Sequence, residues 1–217
     1  IVCTVLGVML TTLMGYVLSR PNYNLNGFLT MGVLIPMVFN GGLVSTYFVV
    51  CQLLGGKNTI WALILPLAVS SFNVIICRTF FKTTVPESLI ESAKMDGASQ
   101  LTIFSRIVLP ISLPVLATIG LILCFAYWND WYQSMLYIDN TKLLSLQALL
   151  NQILTNIQML VQNAATLGAS AAEMLAKMPK EAARMSIVVI IVLPIACAYP
   201  FFQQYFISGL TVGAVKG

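Results

Sequence analysis

The chain has 217 residues, of which 59% are hydrophobic and only 8% are charged. A soluble domain carries about 25% charged residues, so these charges are too few to cover a soluble core of this size. The net charge of +4 comes without a basic cluster, which leaves no surface for nucleic acid. The composition therefore predicts an all-α integral membrane protein that forms a single domain over residues 1–217.

Five apolar segments are each long enough to cross about 30 Å of hydrocarbon as a helix that rises about 1.5 Å per residue. Because the chain opens inside the first of them, without a methionine, we expect that a further span precedes it. The predicted spans are residues 1–18, 28–54, 59–81, 111–131 and 186–207.

The second segment is too long for one simple span, and the letters FNGGL at residues 39–43 predict a break within it. The part that follows the break has the length of a re-entrant or interfacial helix. Four of the five segments also contain proline inside the predicted helix. Kinked helices around a pathway suit a transporter, although proline is also common in membrane helices generally. The prolines are Pro36, Pro66, Pro114, Pro194 and Pro200.

The sequence lacks the residues that several kinds of catalytic, metal and phosphate-binding site require. The chain has no histidine, which removes histidine-based zinc sites, catalytic triads and proton relays. The letters GGKN at residues 55–58 lack the first glycine and the final Ser or Thr of a phosphate-binding loop. We therefore expect no catalytic residue, no metal and no bound cofactor in this chain. Any ATP and Mg²⁺ must lie on a partner subunit.

A charged island at residues 78–106 interrupts the apolar sequence, and its pattern predicts a short helix, a stop and a second helix. Pro86 suits the first helical position, and Gly97 suits the left-handed position that ends a helix. Ser99 then suits the N-cap of the next stretch, which we expect to end at Pro110.

Three explanations of the island remain open from the residues alone. The first is a solvated loop in which Glu91 pairs with Lys94, the second is an interfacial helix that lies on lipid, and the third is a docking element for a soluble partner. A docking element would present the acidic Glu91, and the small Ala93 and Ala98 would let the partner approach closely.

A second polar region, residues 139–184, differs in kind, because it carries seven amides and no charge between residues 143 and 172. Its apolar residues recur every three or four positions, which predicts an amphipathic helix and not a span. Counting the spans places the island and the C-terminal tail on one side of the membrane and this helix on the other. Counting lysine and arginine gives no clear orientation.

The island resembles the EAA-xxx-G-x₉-I-x-LP motif of ABC-importer permeases. The matching letters are Glu91-Ser92-Ala93, Gly97 and Ile107-Val108-Leu109-Pro110, with Ser92 in place of alanine. The sequence around the motif is similar to the carbohydrate branch of the family, the MalG-like permeases of maltose importers. The segment YWNDWYQSMLYI and the ending FFQQYFISGLTVGAVKG are similar to its polysaccharide and aldouronate-type subgroup.

This resemblance implies a type I importer core with kinked transmembrane helices in the bacterial cytoplasmic membrane, where the chain moves an oligosaccharide by alternating access. Its partners would be a second homologous permease, two ATPase subunits, an extracytoplasmic sugar-binding protein and the lipid bilayer. The resemblance also implies that residues 84–109 hold a cytoplasmic coupling helix, residues 132–183 an extracytoplasmic loop and residues 208–217 a cytoplasmic tail. The implied coupling residues are Glu91, Ser92, Ala93, Asp96, Gly97, Ile107, Leu109 and Pro110, and the implied tail residues are Gly213, Lys216 and Gly217.

A substrate pathway has weaker signals. Aromatic faces stack on sugar rings and Asn or Asp bonds hydroxyls, but aromatic residues at a helix end also form an interfacial belt. Asn73, a polar residue inside the third predicted span, either lines the pathway or packs against a neighbouring helix. The alternative to an ABC importer is an ion-coupled carrier or channel, which usually keeps ionisable groups within the membrane. The pathway candidates are Asn73, Tyr127, Trp128, Asn129, Asp130 and Trp131.

Overall fold

The computed structural model describes residues 1–21, 23–163, 182 and 185–200, and within those residues every regular element is helical. This confirms the predicted all-α fold class. A π-helical turn at Val49–Leu53 extends the helix Gly42–Phe48, and a second at Phe104–Val108 joins the helices Gln100–Ile103 and Leu109–Ile111. The helices are α1 (Val2–Ser19), α2 (Asn26–Val38), α3 (Gly42–Phe48), α4 (Trp61–Ala68), α5 (Ser71–Thr84), α6 (Glu87–Met95), α7 (Gln100–Ile103), α8 (Leu109–Ile111), α9 (Leu113–Trp128), α10 (Tyr132–Tyr137), α11 (Leu146–Gln162) and α12 (Met185–Pro200).

Helix α1 packs closely against α5, and glycine makes the close approach possible. A Cβ atom added to Gly15 would lie 2.5 Å from the Cβ of Cys77. At Gly7 the same atom would lie 3.0 Å from the carbonyl oxygen of Ala68. Gly7 precedes Gly15 in the chain and Ala68 precedes Cys77, so α1 runs in the same direction as α4 and α5. Helices α1 and α5 therefore finish at the same end of the bundle.

One buried cluster joins α1 to the helices of the charged island. Tyr16 packs against Phe81 and Phe104, with ring centroids 6.2 Å and 5.1 Å away. The side chains of α6 and α7 that point inward belong to the same cluster, so the island is anchored to the bundle. The fully or nearly buried members are Tyr16, Cys77, Phe81, Val85, Ile90, Ala93, Ile103, Phe104, Val108, Val115, Ile119 and Leu123.

The two polar regions lie at opposite ends of this bundle. Helix α6 lies at the end where α1 and α5 finish. At the other end Asn58, which precedes α4, bonds to Asp139 and Asn140, which follow α10. The island and this loop therefore lie at opposite ends of the bundle, and their assignment to the two sides of a membrane stays a prediction.

Helix α1, with 18 residues, is long and apolar enough to cross a membrane on its own. Among the described residues, the number of helices that could span a membrane rises from one to three if two bent pairs each count as one span. One pair is α4 with α5, bent by 47°, and the other is residues 100–111 with α9, bent by 83°. Helix α2 and α12 are apolar but shorter, and residues 201–207 of the last predicted span lie outside the described part. The count of five spans stays a prediction.

The predicted span over residues 59–81 contains a bend of 47° between α4 and α5. Val69 and Ser70 are extended there, with ψ of 118° and 131°. Pro66 lies inside α4 and has no N–H to donate, which weakens the helix just before it ends. The bend therefore agrees with the kink predicted from Pro66, and it lies three residues after the proline.

Proline and glycine act differently at the other predicted breaks. The break in the second segment is confirmed, because α2 ends at Val38 and α3 begins at Gly42, whose φ is +81°. Pro36 lies inside α2 as expected. Pro114, however, lies in the first turn of α9, where its missing N–H has no carbonyl to meet. Pro114 therefore lies inside the predicted span but at the start of α9, directly after the 83° bend.

Candidate functional site

The turn between α6 and α7 depends on Gly97. Its φ is +78°, and its N–H donates to the carbonyl of Lys94 at 3.0 Å. The N–H of Ala98 donates to the carbonyl of Ala93, also at 3.0 Å. These two bonds and the left-handed residue form the Schellman motif, which satisfies carbonyls at the helix C-terminus. The predicted stop at Gly97 is confirmed.

The start of each island helix also follows from local sequence. Ser99 is the N-cap of α7, and its hydroxyl accepts a hydrogen bond from the N–H of Thr102 at 3.2 Å, as predicted. Pro86 is the N-cap of α6 and not its first helical residue, because its ψ of 136° is extended. The helix therefore begins at Glu87, whose charge lies near the positive end of the helix dipole.

Helix α6 has one buried face and one exposed face. Ile90 is 2% exposed and Ala93 9% exposed, and both pack into the core described above. Glu91, Ser92 and Asp96 are exposed on the outer side. Ala93 thus contacts the chain's own core, so its small size is explained by internal packing and not by the approach of a partner.

No ion pair forms between Glu91 and Lys94. Among the described residues Glu91 has neither an ion-pair nor a hydrogen-bond partner. The solvated-loop explanation, which relied on that pair, therefore has no support from this structure. Nor is the outer face of α6 basic, as a lipid-bound helix usually requires, because it carries Glu91 and Asp96 against the single Lys94.

Two apolar side chains on the same exposed surface were missed by the sequence analysis. Met95 is 88% exposed and Leu101 is 75% exposed. Met95 lies four residues after Glu91, which places both on one side of α6. That spacing was available in the sequence, but an apolar residue in an apolar chain gave no reason to expect exposure. We call the set Glu91, Ser92, Met95, Asp96 and Leu101 the outer surface of the island.

The second part of the motif forms the helix that returns to the bundle. Ile107 and Leu109 are half-buried and pack on the core, whereas Pro110 is exposed. The N–H of Leu109 bonds to the carbonyl of Phe104, five residues earlier, which closes the π-helical turn. The helix continues through Pro110 and ends at Ile111, so the prediction that Pro110 ends it is wrong by one residue.

The aromatic segment at the end of α9 contributes chiefly to packing. The hydroxyl of Tyr127 donates to the carbonyl of Ile64 at 2.8 Å, which ties α9 to α4. The indole N–H of Trp128 donates to the carbonyl of Ile191 at 3.2 Å, which ties α9 to α12. The polar groups of these two pathway candidates therefore already bond to backbone carbonyls of the chain.

The other pathway candidates do not share one environment. The carboxylate of Asp130 accepts the N–H of Gln133 at 3.0 Å and so caps α10. Asn129 and Trp131 are exposed, and the Trp131 ring stands edge-on to Tyr132 at 5.9 Å. Asn73 is buried in α5, at 3% exposure. A cleft of about 300 Å³ between α10 and α11 contains none of the six candidates among the residues that line it.

A polar clamp at this end of the bundle was also missed. The side-chain oxygen of Asn58 accepts the N–H groups of Asp139 and Asn140 at 2.6 Å and 3.1 Å. Lys57 pairs with Asp139 at 2.9 Å. This contact lowers the pKa of Asp139 and raises that of Lys57, through a hydrogen bond first and charge attraction second. Two residues of the GGKN segment, Lys57 and Asn58, thus hold this loop in place.

The amphipathic helix predicted from the amides is present as α11. Ala148 and Leu150 are buried, while Asn151, Gln152 and Asn156 line the cleft with α10. Ser145 caps its start by accepting the N–H of Ala148 at 3.2 Å. Residues 164–181 and the tail residues Gly213, Lys216 and Gly217 lie outside the described part of the chain.

Apolar helices, an exposed turn at one end and a clamped polar loop at the other are compatible with the membrane component of a transporter. The chain matches the family of binding-protein-dependent transport system inner membrane components over residues 7–212. It belongs to that family. The match supports the importer and gives no support to the alternative of an ion-coupled carrier.

Relatives and a solved structure agree with the family match. The chain is 37% identical to protein LplC of Bacillus subtilis (strain 168), over all of this chain and 71% of that protein. It is also 37% identical to the polygalacturonan/rhamnogalacturonan transport system permease protein YtcP of that strain, over all of this chain and 73% of YtcP. A crystal structure of a bacterial ABC transporter involved in the import of the acidic polysaccharide alginate superposes with a TM-score of 0.74. It is 27% identical and aligns over 94% of this chain and 71% of the other.

Proposed function

We propose that this chain is one of two homologous permease subunits of an ATP-driven importer that carries oligosaccharides, with acidic plant-wall or algal fragments as the favoured class. Support comes from the names of its relatives, which include a polygalacturonan/rhamnogalacturonan permease and an alginate importer. The importer lies in the bacterial cytoplasmic membrane and receives its sugar from an extracytoplasmic binding protein. ATP and Mg²⁺ bind to the two ATPase subunits, and the permease supplies the pathway by alternating access.

The outer surface of the island is the proposed contact with the ATPase. The observation that carries this proposal is the unpaired, exposed Glu91 on a helix whose other face is fixed in the core. An exposed carboxylate beside Met95 and Leu101 offers a partner one charge contact and an apolar patch. Interfaces commonly combine such an apolar centre with charged residues at the rim.

The test compares Glu91→Gln with Glu87→Gln in the complete transporter, reconstituted in proteoliposomes with its ATPase and binding protein. Each variant removes one negative charge from an exposed position of α6. We expect Glu91→Gln to reduce sugar-stimulated ATP hydrolysis about tenfold or more, since loss of a partner to a charged group costs about 1.5–3 kcal/mol. Glu87→Gln should lose a helix-dipole contribution of about 0.3–1 kcal/mol to the stability of α6, together with its charge attraction to Arg20, and neither of these involves the outer surface.

Co-purification of the ATPase should fall in parallel with activity for Glu91→Gln and remain normal for the control. If Glu91→Gln retains both normal coupling and normal association, the outer surface is not the ATPase contact. The substrate class is tested separately, by binding of galacturonate and uncharged oligosaccharides to the cognate binding protein. Tight binding of uncharged sugars alone would reject the acidic class and leave the importer assignment intact.

A further inference from the structure

A polar pocket of about 260 Å³ opens where α1 and α5 end and α6 begins. Three cations line it, Arg20, Arg78 and Lys82, together with one carboxylate, Glu87. The formal charge of these four side chains is +2, from three positive charges and one negative. Coupling to ATP hydrolysis, as proposed above, makes no use of this pocket.

The two arginines use only part of their hydrogen-bonding capacity within the chain. Arg78 donates from Nε to the carbonyl of Leu18 at 3.1 Å, and Arg20 donates from Nε to the hydroxyl of Ser19 at 3.2 Å. The Nη2 atom of Arg20 is buried and has no partner among the described residues. A guanidinium has five N–H groups in a planar fork, so both side chains retain donors for an anion.

The helix dipole explains only some of this arrangement. A cation in the last turn of a helix interacts favourably with its negative end, which accounts for Lys82 in α5. It does not account for Arg20, whose guanidinium lies 5.0 Å from the centroid of the Tyr16 ring and whose Nη2 has no acceptor among the described residues. A buried donor without an acceptor costs free energy, so a further acceptor beyond the described residues is expected at this point.

An apolar groove continues from the pocket along the bundle. It has a volume of about 280 Å³ and shares Leu18 with the polar pocket. It lies between α1 and α2, and every residue that lines it is apolar. The lining residues are Leu13, Met14, Val17, Leu18, Leu29 and Val33.

We propose that the pocket and the groove together bind one anionic phospholipid. Its phosphate accepts hydrogen bonds from Arg20 and Arg78 and pairs with Lys82, while one acyl chain fills the groove between α1 and α2. A free inorganic anion would use the pocket but leave the groove unexplained. A zwitterionic lipid would bring the positive charge of its ammonium group to a site whose side chains already carry a formal charge of +2. The occupant comes from the leaflet at the α6 end of the bundle.

The test uses the full-length permease assembled with its partner subunits in phosphatidylcholine nanodiscs. The probe is phosphatidylglycerol with a photoactivatable acyl chain, and labelled peptides are mapped by mass spectrometry. We expect label on α1 and α2 in the wild type. Lys82→Gln should reduce it about fivefold, because one lysine near an anionic headgroup contributes about that factor in affinity.

Lys94→Gln is the matched control, since it removes the same charge at the same end of the bundle and lies outside the pocket. It should leave the labelling unchanged. Val17→Trp fills the groove from a position that is already 38% exposed, so it should fold normally and abolish label on α2. This second variant keeps the test decisive if Lys82→Gln assembles poorly.

Four results would overturn the proposal. They are equal labelling of wild type and Lys82→Gln, equal labelling by a phosphatidylcholine probe, displacement of the label by inorganic phosphate, and absence of label in the assembled complex. The third would show a free-anion site, and the fourth would show that a partner subunit covers the groove.

Discussion

Replacing Gly97 by alanine isolates the role of the α6–α7 turn. The residue has φ of +78°, and no atom lies within 4 Å of the Cβ that alanine would add. The substitution therefore causes no collision, and its effect comes from the backbone alone. A left-handed conformation costs an L-residue about 1–2 kcal/mol, which corresponds to a factor of about 5–30 in a conformational equilibrium.

That cost falls on the two Schellman bonds, because relieving the strain moves Gly97 and Ala98 away from the carbonyls of Lys94 and Ala93. We expect the last turn of α6 to loosen and the outer surface to lose its fixed position. Sugar-stimulated ATP hydrolysis should fall about fivefold or more in proteoliposomes, while basal hydrolysis is retained. Gly97→Asn should restore part of the coupling, since asparagine tolerates this conformation better.

Gly42→Ala is the matched control for this experiment. Gly42 has φ of +81° and also has open space around it, but it is the first residue of α3, away from the island. Both alanine variants should lower the melting temperature by similar amounts, and only Gly97→Ala should reduce coupling. Equal loss of coupling in the two variants, or none in either, would refute the reasoning.

Three further predictions concern the bundle and its clamp. Gly15→Ala should destabilise the α1–α5 contact by about 1–3 kcal/mol, measured as a lower melting temperature, whereas Gly32→Ala, with open space around it, should not. Asn58→Ala leaves two backbone donors without their acceptor, so hydrogen exchange at residues 139–140 should accelerate about tenfold. The Lys57 contact lowers the pKa of Asp139, so the clamp is fully stabilised above the usual aspartate pKa. The ion pair weakens as pH falls through the lowered pKa of Asp139. Unchanged hydrogen-exchange protection of the amides of residues 139–140 between pH 7 and pH 2 would contradict this.

The sequence was most informative where one residue type determines the local backbone. Gly97 and Ser99 each have a conformational or capping preference strong enough to predict the α6–α7 turn, and the structure confirms both. The amides and apolar residues of α11 likewise have a period that only an amphipathic helix satisfies.

Features that depend on contacts between distant parts of the chain could not be predicted in this way. The clamp joins Asn58 to residues 81 and 82 positions later, and nothing in either local sequence indicates the other. The exposure of Met95 was equally hidden, because an apolar side chain in an apolar chain carries no signal of the face it occupies. The proline at position 66 indicates a kink, but it does not indicate that the helix ends at Ala68 and resumes at Ser71.

The position of the island between two bends bears on how it acts. The 47° bend between α4 and α5 lies on one side of it and the 83° bend before α9 on the other. Between them, the buried side chains of α5, α6 and α7 share one core with Tyr16 of α1. The same core includes Val115, Ile119 and Leu123 of α9. Since close-packed cores compress little, a displacement of α6 should carry α1, α5 and α9 with it. If the outer surface binds the ATPase as proposed, the residues that anchor α6 would connect the movement of that partner to the helices of the bundle.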